Sequence, residues 1–171
     1  PTDPIYDTNN PPGMGGSDID AQLAWDEQTD CRNTLVAVID TGINYTHEDL
    51  AANMWDGSGK GYPNHGWDFV DGDPGTGDND PLPTGGEGHG THVAGTIGAI
   101  GDNNTGTTGV CWRASIMSVR ALGPNGWGSL DDVVASIDFA VEQGARIINM
   151  SLGGPRSEGM SDAITDANTA G

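Results

Sequence analysis

The chain has 171 residues, 25 of them acidic against 6 basic, for a formal net charge of −19 at pH 7. That length holds one domain or most of one, with a sizeable core, and that charge argues against nucleic acid or an anionic membrane surface as a partner. No apolar run approaches the length of a membrane-spanning helix, and the opening Pro1-Thr2-Asp3 reads as a processed or trimmed terminus rather than a signal peptide.

Residues 1–16, rich in Pro, Asn and Gly, read as an extended surface arm. Residues 17–28 predict a short helix with Ser17 as its cap and Ile19, Leu23 and Ala24 on one face. Residues 34–39 are an uninterrupted apolar run that stops abruptly at Asp40-Thr41-Gly42, the pattern of a strand buried on both faces of a parallel sheet. A short strand over 67–70 leads into a Gly/Pro-rich loop, 71–88. Asp68, Asp71, Asp73, Asp78 and Asp80 cluster there, which suggests cation binding as well as solubility.

The stretch Gly88-His89-Gly90-Thr91-His92-Val93-Ala94-Gly95-Thr96 follows. Its glycines mark a loop entering a helix, with His89 in the first turn and Val93, Ile97 and Ile100 at the spacing of one buried face. A helix amino end disfavours the imidazolium and favours a neutral base. A capping or structural histidine is the plainer alternative. Metal binding by His89 and His92 would lack the glutamate of the His-Glu-x-x-His pattern and any cysteine pair.

Further on, residues 115–122 predict a second buried strand. Ser129 caps a helix with Asp131 and Asp132 in its first turn and Gly144 at its end. Residues 146–150 predict a third buried strand, running into Ser151-Leu152-Gly153-Gly154, and a last helix covers 158–170. Strands alternating with helices imply right-handed crossovers and a doubly wound, mainly parallel α/β sheet. In such sheets sites form beyond the carboxyl ends of the strands, so Asp40, His89 and Ser151 are expected on one rim. There a carboxylate can fix the tautomer of a histidine base. Cys31 and Cys111 are compatible with one disulfide or two thiols.

Asp40-Thr41-Gly42, the nine-residue histidine stretch and Asn149-Met150-Ser151-Leu152-Gly153-Gly154 resemble the first three signature blocks of the subtilases, the subtilisin-like serine endopeptidases. The resemblance implies a three-layer α/β/α fold, incomplete here, with the arm 1–16 followed by the amino-terminal part of a catalytic domain over 17–171. It makes Asp40 the triad carboxylate and His89 the general base. Gly126, Trp127 and Gly128 would form one edge of the substrate channel. Ser151, Leu152, Gly153 and Gly154 would form the other, so Ser151 is not the nucleophile. The family's oxyanion Asn and nucleophilic Ser lie in later blocks that residues 1–171 do not contain.

The resemblance further implies Ca²⁺ at two places. Asp49, the turn 100–107 with Asn103 and the carbonyls of Ile100, Thr105 and Thr107, and Asp3 match one family site. Asp68, Asp71 and Asp73 would make a second, with Asp78 or Asp80 joining. Because the family's strands that follow the two cysteines are parallel neighbours, it also implies a Cys31–Cys111 disulfide. The expected whole is a secreted serine endopeptidase acting on peptide or protein substrates. Its partners would be a carboxy-terminal segment carrying Ser and Asn, and a propeptide or inhibitor. This chain alone would be inactive. The rival is a non-catalytic calcium-binding interaction module on the same fold. Asn44-Tyr45-Thr46 and Asn103-Asn104-Thr105 are glycosylation sequons in a host that glycosylates.

Overall fold

The fold is read from a computed structural model of the chain, which describes residues 19–70 and 77–171. The arm, the Ser17 cap, Asp3, Asp71 and Asp73 lie outside the described residues. Four strands, β1 (Asp30–Asp40), β2 (Gly66–Asp68), β3 (Arg113–Arg120) and β4 (Ile147–Asn149), form one all-parallel sheet in the order β2-β3-β1-β4. The helices are α1 (Ala21–Glu27), α2 (His89–Gly98), α3 (Leu130–Gln143) and α4 (Glu158–Ala170).

The alternation of side chains along the strands sorts the core into two layers. Ala37 and Ile39 of β1 and Met117 and Val119 of β3 pack with Ile137 and Ala140 of α3 and Ala163 of α4. Val38, Ala114 and Ile116 point the other way and meet Ala94 of α2. Burying each Val, Ile or Met of these layers contributes about 1.5–3 kcal/mol. The expected doubly wound α/β/α architecture is what the chain adopts.

Helix α2 corrects the expected packing face. Its buried residues are Gly90, Ala94 and Gly98, while Val93 and Ile97 sit half-buried beside them and Ile100 falls beyond the helix. The helix is pressed onto the sheet by its small residues. A Cβ on Gly98 would stand 2.7 Å from the Ala114 Cβ. Apolar periodicity locates bulky side chains and misses a seam made of glycine.

Helix α3 forms as expected, with the Ser129 hydroxyl accepting the Asp132 N–H at 3.0 Å and Gly144 closing it at φ 89°. Helix α1 is shorter than predicted and buries no residue; Ile19 and Leu23 are exposed. It is held instead by Trp25, whose indole N–H donates to the Val110 carbonyl at 2.7 Å and whose ring meets Trp112 edge-on at 5.5 Å. Strand β1 begins four residues before the predicted start. Those residues carry Cys31, which is disulfide-bonded to Cys111 with the Cα atoms 6.3 Å apart, where Asp30 of β1 pairs with Arg113 of β3. The two cysteines therefore staple the amino ends of the two central strands.

Candidate active site

Strand β1 lies between β3 and β4, so the chain leaving it at Asp40 emerges at the middle of the carboxyl rim. The Asp40 carbonyl accepts the N–H groups of Ala121 and Leu122 at 2.9 and 3.1 Å, which ties the exits of β1 and β3 together. Its side chain is fully buried. The chain then turns away through Gly42, at φ 95°, where a Cβ would stand 2.5 Å from the Pro81 carbonyl oxygen.

The amino end of α2 is brought against this turn. Gly90 permits it: a Cβ there would lie 2.4 Å from the Gly42 oxygen and 3.1 Å from Asp40 Oδ1. His89 Nδ1 comes within 2.8 Å of Asp40 Oδ1, with the imidazole about half exposed to solvent and the carboxylate dry. An ionised carboxylate accepts only, so Nδ1 carries the proton and Nε2 presents its lone pair to the rim. The hydrogen bond and charge of Asp40 hold the His89 pKa above its ordinary value, against a smaller opposing effect of desolvation. The helix end expected to favour a neutral base therefore meets an opposing carboxylate in Asp40. The neutral base is present once the pH exceeds that raised value.

Sequence reasoning passed over two neighbours of the pair. Glu87 Oε1 accepts the N–H groups of Gly88 and His89 at 2.9 and 2.7 Å, satisfying donors that a helix start leaves open. Thr41 bonds both Asp40 and α2. The signal for Glu87 was an acid two residues before a helix-start histidine; Thr41 lay unremarked inside the Asp-Thr-Gly turn.

The segments expected to border a substrate flank the pair. Gly126, Trp127 and Gly128 follow β3, while Ser151, Leu152, Gly153 and Gly154 follow β4, on opposite sides of β1. Trp127 is 78 % exposed, Ser151, Gly153 and Gly154 are exposed, and Leu152 is half-buried against the α3 layer. The Ser151 hydroxyl accepts from the Asn149 amide at 3.0 Å.

Of the residues expected to bind calcium, Asp49 and the 100–107 turn come together, whereas of Asp68, Asp71 and Asp73 only Asp68 lies among the described residues. Asp49 is buried under the 100–107 turn. Its Oδ1 accepts the Asn103 amide at 2.8 Å and its Oδ2 the Thr107 N–H at 3.1 Å. Asn103 Oδ1 takes the Thr105 N–H at 2.8 Å, and the Ile100 N–H donates to the Asp49 carbonyl at 2.9 Å. Asp68 has partners that the sequence did not suggest. Its carboxylate is buried in an ion pair with Arg120 and accepts the Val70 N–H at 2.7 Å, so it serves as a counter-charge inside the sheet edge. Asp78 accepts the Asp80 N–H and Asp80 the Tyr45 hydroxyl, each at 2.8 Å. Burial and that bond to Asp80 push the Tyr45 pKa up to about 12. Among the described residues no three His, Cys, Asp or Glu side chains gather as a metal cluster.

A model of the Subtilase family matches residues 31–171, which include Asp40, His89 and both flanking segments. The chain belongs to the subtilase family. It is 43 % identical over 154 residues to the halolysin-like extracellular serine protease Nep of Natrialba magadii, covering 90 % of this chain and 26 % of that protein. It is 36 % identical over 168 residues to thermitase of Thermoactinomyces vulgaris, covering 98 % of this chain and 53 % of thermitase. Halolysin of Haloferax mediterranei is 39 % identical over 153 residues, covering 88 % and 26 %. The subtilase chain described here thus spans about a quarter to half the length of these relatives. No helix among its described residues is long and apolar enough to cross a membrane.

Proposed function

We propose that this chain supplies the general base and its orienting carboxylate to a serine endopeptidase. The nucleophilic Ser and oxyanion Asn would come from a segment bearing the family's later blocks. The observation that carries this reading is the 2.8 Å bond between His89 Nδ1 and a fully buried Asp40 at the carboxyl rim of the central strand. In the reaction, His89 Nε2 takes the serine hydroxyl proton as that oxygen adds to the peptide carbonyl, then returns it to the departing amine. Asp40 stays ionised, fixes the Nδ1–H tautomer and stabilises the imidazolium formed in between. A peptide lies as an extended strand between the segments 126–128 and 151–154 and meets Trp127 at its edge. An extracellular setting accords with the Cys31–Cys111 disulfide and with the extracellular protease among the relatives.

The test compares purified residues 1–171 with the longer polypeptide that carries the Asn and Ser blocks. Only the longer form is expected to cleave peptides and to react with a covalent serine reagent, at a serine beyond Gly171. Label on Ser151, or peptidase activity from 1–171 alone, would overturn the assignment. A longer form that binds calcium, carries both blocks and cleaves nothing would leave the interaction-module reading standing.

Calcium forms part of the same proposal, at Asp49. A cation there would take over Asp49 Oδ1 from the Asn103 amide N–H, which now bonds it at 2.8 Å. A buried carboxylate, an amide oxygen and the carbonyls of Ile100, Thr105 and Thr107 suit a hard cation of calcium's size. Such an ion would clamp the 100–107 turn to the segment ahead of the 51–53 turn. Titration calorimetry is expected to show binding that Asp49→Ala abolishes, and chelator is expected to lower the Tm. A Tm indifferent to chelator, with no heat of binding, would remove calcium from the proposal.

A further inference from the structure

We propose that Thr41 is a positioning residue for the reaction, acting through a hydroxyl that couples the Asp40 carboxylate to the helix bearing His89. The inference rests on the peptidase reading above and concerns a residue that the triad does not use.

Thr41 is buried, at 2 % exposure, and three hydrogen bonds converge on it. Its N–H donates to Asp40 Oδ1 at 2.7 Å, and its hydroxyl donates to the same oxygen at 3.2 Å. The hydroxyl oxygen accepts the Gly90 N–H at 3.0 Å. The second and third bonds depend on the side chain. A hydroxyl has one proton to give and lone pairs to receive, so it can make both at once.

The Gly90 N–H is one of the donors that the first turn of α2 leaves without a helical partner. Helices usually satisfy such donors with a residue just ahead of them in the chain, and Glu87 does so for Gly88 and His89. For Gly90 the acceptor comes from the end of β1, 49 residues away. The cap therefore doubles as a tether between β1 and α2. It spans the same gap as the His89–Asp40 bond and enters α2 at the residue next to His89.

Asp40 is loaded unevenly. Oδ1 receives His89 Nδ1 and both Thr41 donors, whereas Oδ2 is buried and meets no donor among the described residues. The orientation of the carboxylate thus rests on contacts at one oxygen. Without the Thr41 hydroxyl, the backbone N–H and the imidazole alone would hold it. The imidazole must then orient the group that is meant to orient the imidazole. Catalytic geometry is sensitive at this scale, since a misplacement of about 1 Å can cost on the order of 100-fold in rate.

The experiment uses the full-length protein with T41V, which keeps the side-chain shape without the hydroxyl, and T41S, which keeps the hydroxyl. Rates are expressed per active site titrated with a covalent serine reagent, so that partial misfolding does not count as lost catalysis. T41V is expected to lose about tenfold in kcat at unchanged KM, and T41S to stay within threefold of the parent. T41A is read in the same way should T41V not accumulate. In parallel, the downfield NMR signal of the His89 Nδ1 proton is expected to broaden or vanish in T41V and to persist in T41S. A T41V kcat within threefold of the parent, or a loss that serine does not rescue, would overturn the inference. A parent protein without peptidase activity would defeat the peptidase reading instead. The NMR arm would then decide the tether, an unchanged signal in T41V sinking it.

Discussion

The two ends of β1 are secured by different chemistry. At its amino end, Cys31 is joined covalently to Cys111 beside β3. At its carboxyl end nothing is covalent: Asp40 is held by two backbone N–H groups from the exit of β3, by Thr41 and by His89. A covalent staple contributes stability chiefly by restricting the unfolded chain and leaves local geometry at a distance unchanged. A polar network adds little net stability per bond but fixes the directions of lone pairs and protons. The comparison teaches that stability and chemical precision are assigned to opposite ends of one strand. Damage at the two ends should therefore be separable.

The largest effect belongs to the dyad. In the full-length protein, His89→Ala is expected to lower kcat by roughly 10⁶-fold and Asp40→Asn by roughly 10⁴-fold. Without its ionised partner His89 loses the main cause of its raised pKa, so the acid limb of the residual rate should move to lower pH. The same bond contributes to stability with a definite sign. The contribution is complete below the free imidazole value of 6.5 and is lost as pH rises through the raised folded value. Steady-state kinetics across pH would check both points, and an acid limb unmoved by Asp40→Asn would contradict them.

Next comes the seam between α2 and β1. Gly90→Ala places a methyl 2.4 Å from the Gly42 oxygen and should push His89 off its carboxylate. A kcat loss of about 100-fold is expected, with a destabilisation of about 1–3 kcal/mol. Parental kcat in a folded Gly90→Ala protein would show that the close approach is dispensable.

The opposite end should behave in the opposite way. Replacing Cys31 and Cys111 together by serine is expected to cost about 2–4 kcal/mol of stability while kcat at low temperature stays at the parental value. Denaturant titration beside active-site-titrated kinetics makes the comparison. A large kcat loss would mean that the two ends of β1 are mechanically coupled. The smallest effect is expected at Glu87→Gln, which keeps the acceptor for Gly88 and His89 but removes a charge that raises the His89 pKa. The acid limb should shift slightly to lower pH with the maximal rate preserved. A shift to higher pH would contradict that assignment.

How much of this was legible in the sequence follows from which forces leave a pattern. The buried strands β1 and β3 announced themselves because a strand covered on both faces reads as a near-continuous apolar run, broken in β3 by the buried Ser118 and Arg120. Helix α3 was legible to its ends because Ser129 and Gly144 carry the local chemistry of a start and a stop. The pairing of Asp40 with His89 was reached through chain order and motif. The seam of Gly90, Ala94 and Gly98 was hidden, since close packing is encoded there by side chains that are absent or small. Asp68's ion pair was hidden for a related reason. In sequence it belongs to an acidic run, while its partner Arg120 stands 52 residues away at the end of an apolar strand. Nothing local distinguishes a carboxylate awaiting a cation from one already matched to a guanidinium.

Trp127 has an optical consequence. The other four tryptophans, Trp25, Trp55, Trp67 and Trp112, are all half-buried, whereas Trp127 stands in water on the rim. Its indole should dominate the long-wavelength edge of the emission and be the ring most open to quenching by iodide. A peptide lying along the 126–128 segment would dry that indole, moving the red edge to shorter wavelength and protecting it from the quencher. The chain therefore carries its own dye at the place where a substrate would arrive, and occupancy could be followed without labelling and without turnover.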